Sequence, residues 1–307
     1  MKRLLITGGS GLLALNWACC MREDCEIHLG THLHRVNLAG TRSMRLDMDS
    51  SEALAAQLAR LQPGIIVHTA GMTSVDRCEQ QPDAALYANA VLARQVALAA
   101  RVQSIRLIHI STDHLFSGDR PLVSEEAVPE PLNVYARTKL QAEQWVQQAN
   151  PDALIVRTNF FGWGHARRQS FSDWIIASLR SGQSVTMFDD VYFTPILADT
   201  LAKAAHALVA VNAGGIFNVV GDERISKYEF GRRVARRFGL DETLIRRGKI
   251  AGAQLSASRP HDMSLDNRKI KTLLNAGLGD VDGFLDELYR QERLGRPGEF
   301  KTAVVEQ

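Results

Sequence analysis

Residues 3 to 7, RLLIT, form a short apolar run that stops on GGSG, and the following LLALNWACCM has helical spacing and length. A strand, a glycine turn and a helix in that order constrain the fold more than any other stretch. Gly8, Gly11 and Ala14 fit G-x-x-G-x-x-G/A, in which glycine lets the backbone approach a pyrophosphate and the helix N-terminus, here Leu12 and Leu13, faces its charge. A plain tight turn can carry the same letters, so the pattern gains meaning only if a nucleotide-binding sheet follows.

Such a sheet follows. CEIHLGTH reads as a second strand, but it ends without the acidic residue that would hold an adenosine 2′-hydroxyl in an NAD-selective site. Thr31, His32, His34 and Arg35 stand there instead, and Arg35 with the histidines can accept a 2′-phosphate, which favours NADPH and leaves NADH open. His28, His32 and His34 have no cysteine or carboxylate beside them to complete a metal site, so no metal is expected. SMRL is a third strand, and Asp47 and Met48 just beyond it are placed to touch an adenine edge. EALAAQLARL is then a helix, with Asp49, Ser50 or Ser51 as its cap.

GIIVHTAG (64–71) is a continuous apolar strand suited to a sheet buried on both faces, closing on Ala70 and Gly71 where a cofactor can pass. A helix over 82–102 contains Asn89. SIRLIHIST (104–112) then delivers Ser111, Thr112 and Asp113 to the carboxyl edge of the sheet, where ligands sit in open α/β folds. In PLNVYARTKLQAE (131–143), Tyr135 and Lys139 lie four residues apart, on one face of a helix. A phenol there can act as a general acid, and the neighbouring ammonium is expected to draw its pKa down from about 10.

After ALIVRTNFFG (153–162) the alternation loosens into a helix around Phe171 to Arg180, a strand at Ser184 to Phe188, the segment VYFTPI, a long helix from Ala198 to Val211, the strand GIFNVVG and a helix capped by Ser226. The expected class is α/β, a Rossmann-type doubly wound parallel sheet with a smaller C-terminal substrate-binding lobe. Residues 1–160 form the dinucleotide-binding domain, with pieces returning at about 191–220, and 161–292 form mainly the lobe. The tail 293–307 lacks periodicity and is expected to fray.

A net charge of +2 gives no reason to expect a nucleic-acid partner, and the arginines of RRVARRF repeat as on a solvated helix face. No apolar run approaches the ~18 residues of a membrane span. Cys19, Cys20, Cys25 and Cys78 lack CxxC spacing and read as reduced thiols of a cytoplasmic protein.

With these landmarks in order, the chain resembles the extended short-chain dehydrogenases/reductases and, more narrowly, the dTDP-4-dehydrorhamnose reductase family, over roughly residues 1 to 290. GIIVHTAGMTSVDRCE, STDHLFSG, PLNVYARTKLQAE, an RT followed by aromatics, and RPHDMSLDNRKI carry the resemblance. It implies Thr112, Tyr135 and Lys139 as the catalytic triad, with Gly8, Gly11, Ala70 and Gly71 lining the dinucleotide. It further implies a nucleotide-sugar substrate reduced at a 4-keto group, with His114, Asn159, Phe160 and Arg259 at the sugar nucleotide. Two departures stand out: His114 replaces the tyrosine usual after STD, and Phe160 or Phe161 is the nearest match to the usual tryptophan. Two rivals share the motifs: a cofactor-binding regulatory subunit similar to the beta subunit of methionine adenosyltransferase, and a sugar-nucleotide epimerase. A homodimer is compatible with each.

Overall fold

In the computed structural model, which describes residues 2–32, 34–253 and 255–306, the apolar runs become a seven-stranded parallel sheet. Its strands are β1 (Lys2–Thr7), β2 (Cys25–Thr31), β3 (Thr41–Arg45), β4 (Ile65–His68), β5 (Arg106–Ile110), β6 (Leu154–Arg157) and β7 (Gly215–Asn218). They run in the order β7-β6-β5-β4-β1-β2-β3, and every pairing is parallel. The order reverses between β1 and β4, which opens a crevice at their carboxyl ends.

Strand alternation assigns the two faces. Leu4, Ile6, Val67 and Ile108 point into a core with α1 (Leu12–Met21), whereas Leu5, Ile66 and Leu107 point the other way, toward α2 (Ser51–Leu61). Ser50 is the cap of α2, its hydroxyl accepting from the Ala53 N–H. The helix expected over 82–102 forms without a gap: Pro82–Leu86 (α4) runs through a π-helical turn, Tyr87–Val91, into Leu92–Val102 (α5), and a short helix, Val75–Gln80 (α3), precedes it. Beyond it, α6 (Val134–Ala149) lies with α2 and α5 on the second face.

The lobe is assembled from α7 (Phe171–Arg180), α9 (Lys227–Arg237), α10 (Arg268–Leu274) and α11 (Val281–Arg293), while α8 (Ala198–Ala210) packs on α1. Ser170 and Asp173 form a capping box that starts α7, and Ser226 caps α9. One hydrophobic cluster runs from Leu4 and Ile6 of the sheet to Phe230 and Phe284 of the lobe, so sheet and lobe share a core. The tail differs from expectation. Arg296–Ala303 is a further helix, α12, with Phe300 fully buried, and Val304–Glu306 pairs antiparallel with His34–Val36. No helix among the described residues is long and apolar enough to cross a membrane.

Candidate active site

The crevice between β1 and β4 holds a cavity of about 1100 Å³, lined among others by Gly8, Asp47, Met48, Ala70 and Gly71. Gly8 has φ +67°, and a Cβ there would stand 2.8 Å from the Ala70 backbone, so both its conformation and its close approach require glycine. Gly11 precedes α1 with no side-chain cap, and the first turn of α1 carries no acidic residue. The N–H groups of that turn are therefore open to an anion. Leu12 and Leu13 contribute backbone only, since their side chains are buried in the core. A dinucleotide pyrophosphate fits this cradle.

His34 lines the cavity, and Arg35, its neighbour in the strand His34–Val36, is exposed. Arg45, the last residue of β3, lines the cavity with His32 and His34, as do Arg77, Arg167 and Arg168. Arg168 reaches across the cavity to the Thr73 hydroxyl, from the loop that precedes α7. Among the described residues no group of three His, Cys, Asp or Glu is placed to hold a metal ion.

Thr112, Tyr135 and Lys139 come together where β5 ends and α6 begins. Asn133 caps α6, its Oδ1 accepting from the Ala136 N–H at 2.8 Å, and its amide donates to the Ser258 carbonyl at 2.9 Å. That places the first turn of α6 against the segment carrying Arg259. Further along, Glu143 receives a bidentate pair of bonds from Arg157 of β6, at 3.0 and 2.8 Å, and one from the Ser111 hydroxyl at 2.5 Å. This buried network fixes α6 to the edge of the sheet.

The phenol of Tyr135 hydrogen-bonds Thr112, and burial pushes its pKa up to about 12. The expected downward pull by Lys139 is overturned. The Lys139 ammonium instead donates to the Ile110 carbonyl at 2.7 Å, and burial brings its own pKa down to about 8. The dominant cause for both groups is lost hydration, which disfavours phenolate and ammonium alike. At neutral pH Tyr135 therefore carries its proton, the state a general acid needs.

Asn89, inside the π-helical turn, accepts from the Met72 N–H at 2.7 Å and donates to the Met72 carbonyl at 3.0 Å and the Thr138 hydroxyl at 2.9 Å. One side chain thus joins the loop after β4 to the helix of Tyr135. Around the phenol, the His114 ring stands edge-on at 5.7 Å, and Asp113 accepts from the Asn159 amide. Phe160 is half-buried against the main core. Arg259 pairs with Asp76 of α3 at 2.7 Å, leaving its Nε buried without a partner. A residue missed in the sequence also stands here. The Lys227 ammonium lies 3.3 Å over the Phe193 ring, and burial draws its pKa down to about 8 although Asp113 pulls it upward.

Residues 1–289 match the RmlD substrate-binding-domain family. The chain belongs to that family. Within the extended short-chain dehydrogenases/reductases, RmlD-like proteins are NAD(P)H-dependent reductases of sugar nucleotides. A dTDP-4-dehydrorhamnose reductase of Escherichia coli is 30% identical over 79% of this chain and 86% of its own length. The methionine adenosyltransferase 2 subunit beta of Rattus norvegicus is 29% identical over 92% of the chain and 85% of its own. Among solved structures, a dTDP-4-dehydrorhamnose reductase from Bacillus anthracis in complex with NADP superposes with a TM-score of 0.84, at 23% identity, covering 95% of this chain and all of the other. At that identity the superposition shows the RmlD fold.

Proposed function

We propose that the chain is an NADPH-dependent reductase of a 4-keto-6-deoxy sugar nucleotide, working in the cytoplasm. The observation that carries this reading is the buried Tyr135 phenol bonded to Thr112 at the carboxyl edge of the sheet whose crevice holds the glycine cradle. A reduced nicotinamide held over the glycine cradle would supply the hydride that the carbonyl carbon takes up. As negative charge grows on the carbonyl oxygen, Tyr135 donates its proton to that atom, so the product is the alcohol. Thr112 orients the oxygen through its hydroxyl. Lys139 would hydrogen-bond the nicotinamide ribose through its ammonium. Arg259, with Nε unpartnered, is the cation proposed for the substrate diphosphate, and His114 and Asn159 border the sugar.

Several features support NADPH over NADH: His32, His34 and Arg45 converge at the adenosine end, and no acidic residue follows β2. Screening dTDP-, GDP-, CDP- and UDP-linked 4-keto sugars for loss of NADPH absorbance tests the proposal. Stoichiometric oxidation supports it, and conversion without net oxidation would make the chain an epimerase. The likeness to the methionine adenosyltransferase subunit over 92% of the chain favours one second reading, a cofactor-binding regulatory subunit. Tight NADP binding, no reduction and a co-purifying partner would decide for it.

A further inference from the structure

Parallel neighbours such as β2 and β3 need a crossover, and in sheets of this kind it is usually a helix that covers the face. The described residues between 32 and 40 supply no helix there, and hold the short strand His34–Val36. The chain covers the gap from its other end. Val36 and Leu38 share a buried cluster with Cys19, Phe300, Ala303 and Val304, so α12 and the strand after it occupy the layer a crossover helix would fill. This tail lies beyond the residues that match the family.

Polar contacts hold the same arrangement. The Arg22 guanidinium donates through Nη1 to Glu299 of α12 at 2.5 Å and to the Ala39 carbonyl at 3.1 Å, linking the tail to the turn before β3. Arg296 donates to both carboxylate oxygens of the buried Asp199, each at 2.7 Å. The Asn37 N–H donates to the Ala303 carbonyl at 2.7 Å, and the strand register pairs Val304 with Val36 and Val305 with Arg35. Register decides which side chains enter the cavity. A slip of one residue would turn His34 out and Arg35 in. In the register observed, His34 lines the adenosine end and its Nδ1 is buried without a partner.

We propose that the C-terminal segment Arg296–Glu306 is the positioning element of the 2′-phosphate end of the cofactor site. By pairing with His34–Val36 it fixes the register that presents His34 to the cavity that Arg45 also lines, and so sets the preference for NADP(H) over NAD(H). This inference rests on the NADPH reading above. It assigns the tail a role in cofactor choice and none in proton transfer.

The test is to measure the Kd of NADP⁺ and NAD⁺, and kcat at saturating NADPH, for full-length wild type, Phe300→Ala and Phe300→Leu. Phe300→Ala should weaken NADP⁺ about tenfold and NAD⁺ less than about twofold, as expected when a charge-assisted contact to the 2′-phosphate is lost. Saturated kcat should hold, and Phe300→Leu should restore most of the NADP⁺ affinity. If Phe300→Ala fails to fold, as judged by lost NAD⁺ binding, Glu299→Gln carries the same comparison, with about a threefold selective loss expected. Equal weakening of both cofactors, or an unchanged ratio in a protein that prefers NADP⁺, would overturn the tail's role and leave the NADPH reading intact. A wild type that binds both equally would overturn that reading and this inference with it.

Discussion

At the residue scale the site turns on a phenol whose pKa rises where sequence spacing suggested a fall. A spacing of four positions puts Tyr135 and Lys139 on a common helix face, but burial is a property of the whole fold, and it dominates both groups. Replacing Tyr135 with Phe should remove the general-acid contribution, lowering kcat by about 10²-fold or more while the Kd of NADPH stays within about twofold. A variant that keeps a tenth of the wild-type rate would take Tyr135 out of the acid role. The sign of the pH dependence follows from Lys139. Its folded pKa is depressed to about 8, so the ammonium is lost as pH rises through that value, and kcat/KM should fall on the alkaline side near pH 8, well before Tyr135 deprotonates at about 12. In Lys139→Met the residual kcat/KM should lose that limb, and a limb that persists would assign it elsewhere. Arg259→Ala should raise KM for the sugar nucleotide about tenfold and leave NADPH affinity in place. An unchanged KM would make Arg259 only the partner of Asp76.

Elements with strong local signals were legible, and those shaped by distant partners were not. α7, which starts on a capping box at Ser170 and Asp173, was readable from Phe171 to Arg180, and apolar runs marked six of the seven strands of the sheet. The π-helical turn at Tyr87–Val91 had no such signal, because Asn89 is held by Met72 and Thr138, residues brought near only by folding. Nothing local tells which face of the three-residue strand His34–Val36 meets the cavity. Lys227 carries no signal of its own, since Phe193 lies 34 positions earlier in the chain. The Ser111, Glu143 and Arg157 network gives the element scale its prediction. Glu143→Leu leaves the Arg157 guanidinium buried without its carboxylate, and should cost about 3 to 5 kcal/mol of unfolding free energy in denaturant titration. A loss below about 1 kcal/mol would mean that α6 is held by packing alone.

For the whole molecule, the order β7-β6-β5-β4-β1-β2-β3 puts the strand-order reversal, the glycine turn and the end of β5 along one edge, and α6 brings the phenol to it. The lobe shares its core with the sheet, so the substrate side and the cofactor side form one framework. The tail, which has no periodic signal, is ordered by Phe300 and the Arg22 and Arg296 ion pairs, all of them tertiary contacts. Motifs in one order thus disclosed the family, while His114 and Lys227, which on the proposed function would bear on the identity of the sugar, depart from or lie outside those motifs. The central claim is that this framework reduces a keto sugar nucleotide through Tyr135, and the most direct measurement is single-turnover oxidation of NADPH by wild type and Tyr135→Phe with a dTDP-linked 4-keto-6-deoxy sugar. The account predicts one NADPH oxidised for each alcohol formed by wild type, and a rate lower by about 10²-fold or more in the variant. Equal rates in the two proteins, or no oxidation by wild type with any of the four nucleotide series, would contradict it.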